Sequence, residues 1–134
     1  MNKFNLFLDD ERLPYTPHGI DAFDYTQNMN YINLDWMIVR SYDQFVKYIK
    51  LNGLPQMVSF DHDLADEHYQ YLLKQHDVDY TKYKEKTGME CVKWLCDYCL
   101  DNNHKLPICL IHTQNLIGGK NMFEYIKNFK KNCE

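Results

Sequence analysis

Apolar residues in this chain fall into short unbroken runs, and each run stops at polar or charged side chains. Residues 4–8 (FNLFL) end at Asp9-Asp10, and residues 36–40 (WMIVR) end at Ser41. Residues 56–60 (QMVSF) end at Asp61-His62-Asp63, and ICLI, opened by Pro107, ends at His112-Thr113. Four or five apolar residues without alternation are the pattern of strands buried on both faces. Between the runs the period becomes helical. Ser41 offers an N-cap for YDQFVKYIKLNG, in which Phe45, Val46 and Ile49 share a face and Gly53 provides the stop. Val92, Leu95, Cys96 and Cys99 make an i, i+3, i+4, i+7 stripe that predicts a helix over about 89–102. Met122, Ile126 and Phe129 give a buried face to a last helix opening at GGKNM.

Strands alternating with helices predict an α/β fold with a parallel sheet. Right-handed crossovers make a flavodoxin-like, three-layer arrangement the expectation, with a four-stranded sheet in the order 2-1-3-4 and no fifth strand. Two segments stand outside this rhythm. Pro14, Pro17 and Gly19 predict an irregular connection after the first strand. A Tyr-rich insertion at about 65–87, with a short helix near 69–75, has the length of a lid or binding loop.

Length and composition bound the rest. At 134 residues, 45% hydrophobic and 25% charged, the chain reads as a single folded domain over 1–134. A formal charge of −4 excludes a broad basic nucleic-acid surface, though not a nucleotide or RNA end held at one small site. No signal peptide and no membrane-spanning run is visible, so a cytoplasmic location is expected. The five cysteines then read as reduced thiols, and the stripe holding Cys96 and Cys99 reads as helix core rather than a metal cluster.

The strand ends carry the chemistry. In parallel α/β sheets ligands lie beyond the carboxyl ends of the strands, where the order reverses. Strands 1 and 3 meet there, bringing Asp9-Asp10 beside Asp61-His62-Asp63, with His112-Thr113 next along. Converging carboxylates repel one another unless a cation lies between them. Oxygen-only ligands suit Mg²⁺ or Mn²⁺, held by Asp9, Asp10 and Asp61. Gly118-Gly119-Lys120 before the last helix predicts a phosphate seat, and Arg12 is placed to grip the same anion. An unperturbed imidazole changes charge near physiological pH, so His62 and His112 could supply acid and base, in an order the sequence does not assign.

LFLDDERLP, VSFDHDL, TGMECVKWL and LPICLIHTQNLIGGKNM together resemble the successive motifs of the cyclic-phosphate processing receiver-like domains, a derivative of the response-regulator receiver fold. The resemblance runs over nearly the whole chain. It singles out Asp9, Asp10 and Arg12, then Asp61, His62 and Asp63, then His112, Asn115, Gly118, Asn121 and Met122. Thr113 stands where the family more often has Ser. The implied substrate is a small-molecule cyclic phosphate or a 2′,3′-cyclic RNA end, and the implied activity is metal-assisted phosphoester hydrolysis. The resemblance names no protein partner. Two other readings stay open: a module that only binds or sequesters a cyclic nucleotide, and a phosphoacceptor receiver with Asp61 as acceptor. His112 at a position where a signalling receiver carries Thr or Ser speaks against the last.

Overall fold

The computed structural model describes residues 3–19, 21–64 and 86–134. Its elements run β1 (Asn5–Leu8), α1 (Ala22–Thr26), α2 (Asn30–Asn33), β2 (Met37–Val39), α3 (Tyr42–Asn52), β3 (Met57–Phe60), α4 (Gly88–Asp101), β4 (Ile108–Ile111) and α5 (Leu116–Cys133). Apart from Lys86 and Thr87, the expected insertion at 65–87 and its short helix lie outside the described residues.

The four strands form one parallel sheet in the order β2-β1-β3-β4, as the alternation predicts. Leu6 pairs with Met37 on one side and Val58 on the other, and Val58 pairs with Cys109. Strand position explains the burial: the central β1 is buried along its whole length, whereas Met37 and Ile38 of β2 and Ile108 of β4 are exposed at the sheet edges.

One face of the sheet carries the main core. Leu6, Leu8, Val58 and Phe60 pack with Phe45 and Ile49 of α3, with Cys91, Val92, Leu95, Cys96 and Cys99 of α4, and with Met122 and Ile126 of α5. The cysteines are free thiols. Burial pushes Cys96 up to about 12 and Cys99 up to about 11, so both sit in the core as unreactive small hydrophobes. The opposite face holds a smaller cluster of Phe7, Ala22 and Tyr31, backed by Phe23, Trp36 and Leu110.

That second cluster comes from the segment expected to be irregular. Asp21 accepts from the Asp24 amide at 2.8 Å and starts α1, and Asn28 accepts from the Asn30 amide at 3.0 Å and leads into α2. Helices of five and four residues are about one turn long, too short to show a period. The last helix also begins earlier than its glycines indicate. Asn115 is its N-cap, accepting from Gly118 N at 2.9 Å, so Gly118 and Gly119 lie inside the first turn. Among the described residues no helix is long and apolar enough to cross a membrane.

Candidate functional site

Three adjacent strands, β1, β3 and β4, each end one residue before a titratable side chain. Asp9 N donates to Val39 O, Asp61 N to Leu8 O and His112 N to Phe60 O, at 3.1, 3.0 and 2.9 Å. The ladder thus continues one residue past the strands and lines up Asp9, Asp61 and His112 across the sheet. Ligand atoms of all three lie within 4.8 Å of one another, and all three residues are buried.

Asp9 is the best satisfied of the acids. Its Oδ1 accepts from the amides of Glu11 and Arg12 at 3.0 and 2.9 Å, and its Oδ2 takes a bond from His112 Nε2 at 3.1 Å. Burial alone would raise this carboxyl, but those bonds outweigh it and hold Asp9 below the ordinary aspartate value. His112 lies beneath the rim rather than on it. Its ring stacks on Phe7 at 4.3 Å, its Nδ1 is 2.7 Å from Ser59 Oγ, and burial lowers its pKa against the pull of Asp9.

Asp61 and Asp10 are the opposite case. Asp61 Oδ1 accepts from the His62 amide at 2.8 Å, but Asp61 Oδ2 and Asp10 Oδ1 are buried with no hydrogen-bond partner. Burial, followed by the charge of Asp9, pushes Asp61 up to about 8, with the Thr113 side chain and the His62 amide offsetting only part of this. Burial and the charges of Asp9 and Glu11 push Asp10 up to about 6. Orphaned carboxylate oxygens beside an ionised third carboxylate are what a hard divalent cation satisfies. Both nitrogens of His112 are already engaged, so within that cluster the carboxylate oxygens of Asp9 and Asp61 are left to face such an ion.

His62 belongs to a second group formed where β3 meets the helix starts. Its Nδ1 is 2.9 Å from Asp63 Oδ1, and Asn115 Nδ2 donates to Asp63 Oδ2 at 3.3 Å. The turn that carries this pair is clamped by α4: Gly88 N donates to His62 O at 2.7 Å, and a Cβ at Gly88 would lie 1.8 Å from Asp61 O. Only glycine allows that approach.

Arg12 sits 5.4 Å over the Tyr25 ring, and its Nη2 donates to Gln114 Oε1 at 3.1 Å. The guanidinium is thereby held between α1 and the start of α5. Lys120 and Asn121 are exposed, Gly119 is half-buried, and Met122 is core. The amides of Gly118 and Gly119, expected to be open to a phosphate, are bonded within the helix start. Gly118 N is used by the Asn115 side chain and Gly119 N by the Asn115 carbonyl at 2.8 Å, because the helix starts two residues earlier.

Four residues of the surroundings were not singled out from sequence. Tyr25 and Gln114 brace Arg12, Ser59 holds His112, and Arg40 Nη1 donates to the carbonyls of Asp9 and Arg12 at 3.1 and 2.7 Å. Ser59 carries the one available signal, a hydroxyl inside an otherwise apolar strand.

No curated protein and no solved structure matches the chain. A family model does, over residues 4–128, a span that takes in every strand and all the residues of both acidic strand ends. The chain belongs to the family of cyclic-phosphate processing receiver domains.

Proposed function

We propose that this protein hydrolyses a cyclic phosphodiester to a phosphomonoester, the substrate being a 2′,3′-cyclic nucleotide, a cyclic RNA end or a related sugar cyclic phosphate. The observation that carries the reading is the pair of buried, unpartnered oxygens, Asp10 Oδ1 and Asp61 Oδ2, beside the ionised Asp9. Asp9, Asp10 and Asp61 would hold Mg²⁺ or Mn²⁺, which when bound supplies charge neutralisation for the phosphoryl oxygens.

The remaining work falls to the chain's own side chains. Hydrolysis forms one P–O bond from water and breaks one ring P–O bond, so one proton leaves the water and one reaches the departing oxygen. His62, turned by Asp63 at Nδ1, moves one of these protons at Nε2, and the other is exchanged with bulk water. His112 takes a positioning role in place of the acid–base role expected of it, since it is 1% exposed and spends both nitrogens on Ser59 and Asp9. Arg12, pre-oriented by Tyr25 and Gln114, binds the phosphate. Thr113, Asn115 and Lys120 complete the polar surroundings of the anion.

The test is ³¹P NMR on the purified protein with a panel of 2′,3′-cyclic nucleotides, in Mg²⁺ and in EDTA. Conversion of the cyclic resonance to a monoester in Mg²⁺, blocked by Asp61→Asn, is the expected result. Broadening without conversion would replace hydrolysis by sequestration. A stable acyl phosphate formed from acetyl phosphate would move Asp61 to the role of phosphoacceptor.

A further inference from the structure

Two hydroxyl groups lie buried in a line behind the acidic rim, where the proposed chemistry gives them no direct task. Tyr31 Oη is 2.6 Å from Ser59 Oγ, and Ser59 Oγ is 2.7 Å from His112 Nδ1. His112 Nε2 is in turn 3.1 Å from Asp9 Oδ2. All four residues are at most 3% exposed. The imidazole is held in place by rings as well, stacked on Phe7 and met edge-on by Tyr31 at 6.1 Å.

Donor and acceptor rules give this line a single direction. An ionised carboxylate only accepts, so His112 Nε2 must carry the proton shared with Asp9. At the other end, the buried Tyr31 O–H is satisfied by donating to Ser59 Oγ, which leaves the Ser59 hydrogen for His112. Nδ1 is then an acceptor, the Ser59 hydroxyl donates to it, and Ser59 Oγ accepts from Tyr31. The bonds run Tyr31 to Ser59 to His112 to Asp9.

Packing alone does not call for these groups. Phe for Tyr31 and Val or Ala for Ser59 would cover the same face of the sheet without desolvating two hydroxyls. What the hydroxyls add is orientation. We infer that Tyr31 and Ser59 are positioning residues, which lock His112 as its Nε2–H tautomer in one ring orientation and thereby hold the Asp9 carboxylate in one plane at the rim. Groups that orient a ligand in this way act at a distance of two or three hydrogen bonds from the ion. The inference rests on the reading of Asp9 as a cation-holding residue, but the tautomer itself can be observed without cation or substrate.

Long-range ¹H–¹⁵N correlation on protein labelled at histidine tests it, with the His112 signals assigned by their loss in His112→Asn. The expected wild-type spectrum shows His112 as the Nε2–H tautomer, with an Nδ1 shift of a hydrogen-bonded acceptor. Tyr31→Phe, which removes one oxygen and keeps the ring, should move that Nδ1 shift while the backbone spectrum stays native. Ser59→Ala should move it further and weaken Mn²⁺ binding, measured by titration calorimetry, by about 10-fold, with Ser59→Thr restoring both. An Nδ1–H tautomer in the wild type, or an Nδ1 shift and Mn²⁺ affinity indifferent to Tyr31→Phe and Ser59→Ala, would overturn the inference. A wild type that shows the locked tautomer and its response to Tyr31→Phe but binds no Mn²⁺ would keep the lock and remove the cation reading instead.

Discussion

The ring of His62 occupies the space that a side chain at position 118 would need: a Cβ on Gly118 would lie 2.6 Å from both Cγ and Cδ2 of the imidazole. The first turn of α5 and the turn after β3 are therefore in direct contact, with Asn115 and Asp63 closing the same junction. Helix propensity by itself says that Ala should stabilise a helical position over Gly by about 1 kcal/mol. The collision opposes this, since the ring is fixed at Nδ1 by Asp63 and cannot swing away without losing that bond. Gly118→Ala should cost about 1–3 kcal/mol in stability and reduce turnover by about 10-fold or more. Thermal melts and initial rates check both. A stabilised and fully active variant would show that the ring moves aside freely.

Asp61 makes the stability of the metal-free protein depend on pH in the direction opposite to an ordinary salt-bridged aspartate. Its pKa rises from 3.8 to about 8 on folding, so the folded state favours the protonated form. The stability this group contributes is complete below 3.8 and is lost as pH climbs toward about 8. Asp10, raised to about 6, adds the same trend over the lower part of that window, while Asp9, lowered, works the other way only in acid. Asp61→Asn should thus raise metal-free stability near neutral pH by about 1–3 kcal/mol and flatten the profile. Mg²⁺ should stabilise the wild type and leave the variant unmoved. Melts from about pH 5 to about pH 8, with and without Mg²⁺, read out all three effects. A variant that melts lower than wild type at every pH would mean that Asp61 is charged and well partnered in the fold.

Much of this architecture was readable because its strands are buried on both faces. An apolar run in a parallel sheet has to stop where the chain meets solvent, so the stops at Asp9, Asp61 and His112 mark one rim in the sequence itself. Depth was not readable. His62 and His112 each directly follow a strand end or its first acid, yet one lies against α5 and the other under Asp9, a difference set by Phe7 and Ser59 from other strands. The helix start lies before Gly118-Gly119 for a local reason. Asn115 competes as an N-cap and draws the helix start two residues back, which turns exposed amides into capped ones. Tyr31 had no signal at all, since α2 is a single turn whose placement depends on Phe7 and Trp36.

Arg40 ties the acidic loop to β2. Its Nη1 donates to Asp9 O and Arg12 O, the two ends of the turn whose amides at Glu11 and Arg12 bind Asp9 Oδ1. Replacement by Met keeps the aliphatic stem and removes the charged donor, leaving two part-buried carbonyls without it. Arg40→Met should cost about 1–3 kcal/mol and speed hydrogen exchange of the Glu11 and Arg12 amides, while amides of α4 stay protected. Exchange that accelerates equally everywhere would assign Arg40 to global stability rather than to this loop.

Asp63 offers the sharpest separation of orientation from binding. It holds His62 Nδ1 at 2.9 Å and is itself steadied by Asn115. A carboxylate can only accept, so it selects the tautomer with the proton on Nδ1 and directs the acid–base chemistry of the ring to Nε2. Asn at position 63 keeps the size but can present an N–H instead, which would favour the other tautomer. Asp63→Asn should lower kcat by about 100-fold or more, with KM for the cyclic phosphate and Mg²⁺ affinity changed by less than about threefold, because neither the acid trio nor Arg12 is touched. Steady-state kinetics on the substrate found by ³¹P NMR, with Mg²⁺ titration alongside, gives the split. A loss carried by KM or by metal affinity would place Asp63 in binding instead, and unchanged kcat would take His62 out of the proton transfer.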